Sequence, residues 1–170
     1  ALCVAKATEV LGSRPEKINV FLSANILKNA MGVGIPGTGM IGLPIAVALG
    51  ALIGKSSYQL EVLKDSTPQA VEEGKAYLNE KRISIALKDD CTEKLYVEVV
   101  CEAGSSHSCA IISGEHTRFV FVSKDADVLL KEDVVADASA QEKTLNLTLH
   151  KVYDFALTAP LAEIAFILDT

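Results

Sequence analysis

The sequence predicts an α+β fold: an antiparallel sheet over residues 82–130, flanked by helices from both ends of the chain, with a buried glycine-rich loop and apolar helix over 32–54. Three observations lead there. The spacing of apolar residues changes from helical to two at about Arg82 and stays at two as far as Leu130. The gaps within that stretch are short and carry turn residues, Asp89-Asp90, Gly104-Ser105 and Gly114. Such gaps join antiparallel neighbours, because a parallel return needs a crossover of roughly a dozen residues. Finally, no charge occurs between Lys28 and Lys55, and the run Ile41–Gly54 is apolar throughout. That run falls short of the roughly 20 residues that cross a bilayer, so it reads as a core helix.

In chain order, residues 1–11 carry helical spacing (Leu2, Ala5, Glu9, Val10), ended by Gly12 as a C-cap with Pro15 beyond it. Lys17–Ser23 alternates Ile18, Val20 and Leu22 and reads as a strand. Asn25–Met31 returns to helical spacing before the glycine loop, and Tyr58–Leu63 reads as a short helix. Thr67-Pro68 is a helix start, a threonine N-cap followed by proline at the first position, and this helix runs to about Glu80 with Val71, Gly74 and Leu78 inward. Strands follow at Arg82–Lys88, Lys94–Glu102, Ser108–Ser113 and Thr117–Ser123, with a fifth at Asp127–Leu130. Lys131–Lys143 reads as a loop or linker, and Leu147–Leu168 as two helices broken at Pro160.

A chain of 170 residues, 49% apolar and 22% charged, is read as a single globular domain over 1–170. Its net charge of −6 and lack of any Lys/Arg run argue against a nucleic-acid binder, which needs a basic face. Cys3, Cys91, Cys101 and Cys109 form no CxxC pair, so free thiols and a reducing, cytoplasmic setting are expected, with no membrane partner. The chain opens within a helical pattern without an initiating Met and stops on an apolar helix, so a fragment of a longer catalytic protein is expected.

Two overlapping GxGxxG patterns occur, Gly32-Gly34-Gly37 and Gly37-Gly39-Gly42. A dinucleotide fingerprint must directly follow a strand, and here the Asn25–Met31 segment intervenes, so a nucleotide-binding reading is disfavoured. The spacing of Cys101, His107, Cys109 and His116 matches no structural zinc pattern. What the loop does offer is uncovered backbone N–H groups, and a helix starting near Leu43 or Pro44 aims its positive end at them, which suits a carboxylate or phosphate. Asn25, Lys28 and Asn29, at i, i+3 and i+4, put two amides and an ammonium on one helix face beside that loop; a solvated face satisfies the same pattern. His116 sits in the tight turn Ser113-Gly114-Glu115-His116-Thr117, where a plain turn histidine and a functional one remain alternatives.

The runs KNAMGVGIPGTGMIGLPIAVALGALIG, YQLEVLKDSTPQAVEEGKAYL, IISGEHT and VYDFALTAPLAEIAFIL resemble the iron–sulfur-dependent serine dehydratase alpha-chain family, in its serine dehydratase-like or L-cysteine desulfidase branch. The resemblance covers nearly the whole chain and places it in the N-terminal half of a longer protein. It implies β-elimination from L-serine or L-cysteine to pyruvate and ammonia, with sulfide from cysteine. It further implies a [4Fe–4S] cluster in the full-length protein and none in this chain, because the family's cluster cysteines fall upstream and downstream of it. Under this resemblance His116 and Lys28 are the catalytic candidates, with His116 as the base. Asn25, Asn29, Gly34, Gly37, Thr38 and Gly39 are the candidates for holding the substrate. The partners implied are an L-amino acid and the remaining part of the same polypeptide, with a homo-oligomer left open. A non-catalytic ligand-binding or interaction domain with the same fold is the competing reading.

Overall fold

The computed structural model describes residues 1–35, 37–132, 148–160 and 162. The chain divides into two compact units, 1–134 and 135–170.

The first unit is an α+β layer structure. Its elements are α1 (Leu2–Leu11), β1 (Lys17–Leu22), α2 (Ala24–Ala30), a hairpin of β2 (Gly34–Ile35) and β3 (Met40–Ile41), and α3 (Leu43–Leu52). A 3₁₀ segment (Ser56–Glu61) and α4 (Pro68–Asn79) follow, then β4 (Ile83–Leu87), β5 (Tyr96–Ala103), β6 (Ser106–Ser113), β7 (Phe119–Lys124) and β8 (Asp127–Lys131). Six strands form one sheet in the order β4-β1-β5-β6-β7-β8. The meander from β5 to β8 is antiparallel, as the short turns require.

The sheet departs from the expected one at its β4 end. The strand 17–22 lies between β4 and β5, parallel to the former and antiparallel to the latter, so β4 and β5 are not neighbours. The chain between β1 and β4 contains α2, α3 and α4, a crossover long enough for parallel pairing. Local periodicity marks each strand but not which distant strand lies beside it.

Register then makes one core. Ile85, Val20, Val99, Ala110, Val122 and Leu130 form a continuous row across all six strands. Over this face lies α1, in contact with β5, β6 and β7. Small residues allow its close approach: Ala5 and Ala7 are fully buried, and the Ser108 hydroxyl donates to the Ala7 carbonyl at 2.7 Å. Gly12 ends the helix at φ 81°, a left-handed conformation in which its N–H reaches Thr8 O at 3.0 Å.

Next to α1 stands α3, which also packs on α4. Seven of its residues, Ile45–Ala51, are buried, which agrees with its apolar sequence on every side. Gly74 makes the α3–α4 contact possible, since a Cβ there would stand 3.1 Å from Leu49 Cδ2 and 3.2 Å from Ile45 Cδ1. The N-cap of α4 is the one the sequence indicates: the Thr67 hydroxyl accepts from Ala70 N at 3.2 Å. The residue most deeply buried from α4 is Tyr77, not Leu78, because its hydroxyl finds a partner in the Pro15 carbonyl at 2.7 Å.

The glycine loop is not buried, contrary to expectation. It closes as the β2–β3 hairpin, and of its glycines Gly32, Gly34, Gly37 and Gly39 are exposed. Two adjacent strands of two residues present little face to a core, and among the described residues of the loop Thr38 and Gly42 are the buried ones.

In the second unit, α5 spans Leu149–Thr158 and is capped by Thr148, whose hydroxyl accepts from Lys151 N at 3.3 Å. It ends two residues before Pro160, consistent with the expected break. The linker reading over 133–143 and the helix after Pro160 lie outside the described residues, Ala162 apart. No described helix is long and apolar enough to cross a membrane.

Candidate functional site

A cavity of about 430 Å³ opens at the end of the sheet where β1 finishes and β5 begins. Its floor is apolar, formed by Val20, Leu22, Val47 and Val97, and polar residues reach it from three separate segments: Asn25 and Asn29 from α2, Lys94 before β5, and His116 from the β6–β7 turn. A second cavity, of about 250 Å³, shares His116, Cys3, Leu95 and Val97 with the first.

Hydrogen bonds through residues 94–96 hold these segments together. On one side, the Ser23 hydroxyl donates to the Lys94 carbonyl at 2.9 Å and Ser23 N donates to Tyr96 O at 3.0 Å, which fixes where α2 starts. On the other, Gly114 N donates to Leu95 O at 3.1 Å, which pins the turn bearing His116. Gly114 adopts φ 79°, so a side chain there would strain the turn. Ser23 is 2% exposed and its hydroxyl also accepts from Tyr96 N at 3.3 Å, so it is a structural rivet and not a site residue.

Asn25, Ile26, Asn29 and Ala30 all line the cavity, which puts one face of α2 against it. At about 100° per residue, Lys28 falls roughly 130° from the middle of that face. Lys28 is exposed and outside the lining, although it follows Asn25 by only three positions. The two asparagine amides are themselves in contact, Asn29 Nδ2 donating to Asn25 Oδ1 at 3.5 Å. That bond does not use Asn25 Nδ2 or Asn29 Oδ1, a donor and an acceptor respectively.

Gly34, Gly37, Thr38 and Gly39 are also outside the lining. Gly34 is paired with Ile41 in the hairpin. The Thr38 hydroxyl serves its own turn, donating to Ile35 O at 2.7 Å and accepting from Met40 N at 2.9 Å, and Thr38 N donates to Ile35 O at 3.2 Å. Among the described residues the N–H groups of Gly37 and Gly39 meet no acceptor, and both glycines are exposed. The structure thus gathers Asn25, Asn29 and His116 at one cavity, and leaves Lys28, Gly34, Gly37, Thr38 and Gly39 out of its lining. It adds Lys94 and Cys3, which carry no motif: Lys94 reads as the polar start of a strand, and Cys3 as one buried position of a helix.

Among the described residues no three His, Cys, Asp or Glu side chains gather closely enough to hold a metal ion. The thiols are also poorly disposed to act as ligands, which bind as thiolates. Burial pushes Cys3 far up, Cys101 up to about 12 and Cys109 up to about 11. Cys101 belongs to the core-facing side of the sheet and Cys109 alternates to the other side. The described residues therefore do not fit the implied cluster.

Across its full length the chain is 73% identical to a UPF0597 protein of Bacteroides fragilis and 66% identical to one of Bacteroides thetaiotaomicron. It is 39% identical to a UPF0597 protein of Aeromonas hydrophila over 98% of its own length. Over the segment it spans, the chain belongs to the UPF0597 family. This UPF0597 segment spans about 40% of the length of the curated relatives it matches. No family model matches the UPF0597 segment and no solved structure matches it.

Proposed function

We propose that this UPF0597 segment supplies the amino-acid-binding part of a lyase that carries out β-elimination on L-serine or L-cysteine. The observation that supports this reading is the meeting of Asn25, Asn29, Lys94 and His116 in one cavity, from segments up to 91 positions apart. A free amino acid needs a cation for its carboxylate, amides to orient its polar groups and a base near its α-carbon. The cavity is lined by residues of all three kinds.

In this reading Lys94 attracts the carboxylate, while Asn25 and Asn29 fix the substrate's rotation. The His116 imidazole takes the α-proton, the electron pair left on the α-carbon forms the Cα–Cβ double bond, and hydroxide or hydrosulfide leaves from Cβ. The aminoacrylate released tautomerises to its imine, and water converts that to pyruvate and ammonia. Lys28, outside the lining, adds positive potential at longer range.

The test is an anaerobic assay of the full-length protein for pyruvate, and for sulfide when cysteine is supplied. His116→Ala should lower kcat by about 10²–10⁴-fold with little change in KM. No pyruvate from either amino acid sinks the lyase reading. Amino-acid binding without product leaves the ligand-binding domain in its place.

A further inference from the structure

The smaller cavity at His116 is also lined by Gln59 and Leu60. Gln59 interrupts the 3₁₀ segment at φ 51°, ψ −117°. That is the geometry of the first central residue of a type II′ turn, where glycine is the usual occupant because a Cβ is strained. The strain is held in place from both flanks. Glu9 on α1 accepts from Ser56 N at 2.6 Å and from the Ser56 hydroxyl. Lys55 Nζ is 2.7 Å from Asp65, which also accepts from the Tyr58 hydroxyl at 3.2 Å, and Lys64 Nζ lies 3.8 Å above the Tyr58 ring. Strain kept by such over-determined surroundings gathers at ligand sites. Nothing in the packing of Gln59 calls for it, since the residue is exposed.

We propose that Gln59 is a ligand-positioning residue, held in its strained turn so that its side-chain amide donates a hydrogen bond to the carboxylate of an amino acid seated at His116. This rests on the amino-acid-binding reading above: Gln59 lines the smaller cavity and Lys94 the larger one, and the two cavities meet at His116, Cys3, Leu95 and Val97, so the amide approaches the carboxylate from the smaller cavity's side. Glycine at this position relaxes the turn and removes the amide, whereas glutamate keeps the side chain's size and turns the donor into a repelling carboxylate.

The experiment uses the full-length protein as wild type, Gln59→Gly and Gln59→Glu. It reads Tm, the steady-state constants for L-serine and L-cysteine, and calorimetric binding of L-alanine, which lacks a leaving group. Gln59→Gly should raise Tm by about 2 °C and raise KM about tenfold with kcat nearly kept. Gln59→Glu should leave Tm unchanged and raise KM further. Turnover with KM unchanged in both variants overturns the Gln59 assignment and leaves the lyase reading standing. Wild-type protein that binds L-alanine without turning over either substrate, with binding lost in Gln59→Glu, upholds Gln59 and sinks the lyase. Wild-type protein that neither binds nor reacts overturns both.

Discussion

Residues 24–42 and 43–52 are contiguous and both poor in charge, yet they fold to opposite ends of the burial scale. No residue of α2 is buried, and the hairpin after it exposes Val33 and Ile41, whereas seven consecutive residues of α3 are buried. Glycine makes the difference. Positive φ at Gly37, Gly39 and Gly42 bends the first stretch into a hairpin that presents no continuous apolar face, while α3 packs against α1 on one side and α4 on another. A segment anchored by little burial can adjust to a ligand, and a rigid neighbour gives it something to adjust against. Asn25 and Asn29 stand on the loosely held side, with Leu43 and Val47 of α3 as the fixed wall of the same cavity.

The contrast can be broken most severely from the anchored side. Leu49 is fully buried, and Leu49→Ala should cost about 3 kcal/mol in urea denaturation, through lost transfer energy and the void left against Gly74. At the junction, Gly42 combines φ 91° with a Cβ position 2.9 Å from the Met31 carbonyl. Gly42→Ala should cost about 2 kcal/mol and speed amide exchange in the hairpin more than in α3.

On the loose side the expected effects move from stability to binding. Under the proposed elimination, Asn29→Ala should raise the KM for L-serine or L-cysteine in the full-length protein about fivefold, and Lys28→Ala by no more than about twofold, with stability changes within about 0.5 kcal/mol for each. Equal effects would mean that the helix face is misassigned. The smallest effect concerns the frame around Gln59. The Lys55 hydrogen bond holds the Asp65 carboxyl below the usual range. A depressed folded-state value means the pair's support is present above the ordinary aspartate range and fades as pH falls through the lowered value. Both groups are exposed, so the change in Tm should be slight and salt-sensitive. An NMR titration of Asp65 that returns to the ordinary range in Lys55→Met checks it.

Much of this was legible in the sequence because the signals are local. Gly12 and Thr67-Pro68 mark helix boundaries through the conformations those residues permit, and alternation from Ile83 to Leu130 marks strands whatever they pair with. The charge-free run through α3 needed only a core to enter. Pairing β1 between β4 and β5 depends on contacts more than 60 positions apart, which no local period encodes. The candidate site divides along the same line. His116 stood out through its turn and Asn25 with Asn29 through their spacing, but spacing alone put Lys28 on the same face, and only the side of α2 that lines the cavity, Asn25, Ile26, Asn29 and Ala30, leaves it out. Lys94 and Gln59 had no local signal at all. The first is brought to His116 by the Ser23 and Gly114 hydrogen bonds on either side of residues 94–96. The second is held by a turn whose strain is sustained by Glu9, Asp65 and Lys64. Local propensity fixes backbone conformation within a few residues, whereas a site is assembled from side chains that meet only after the core has closed.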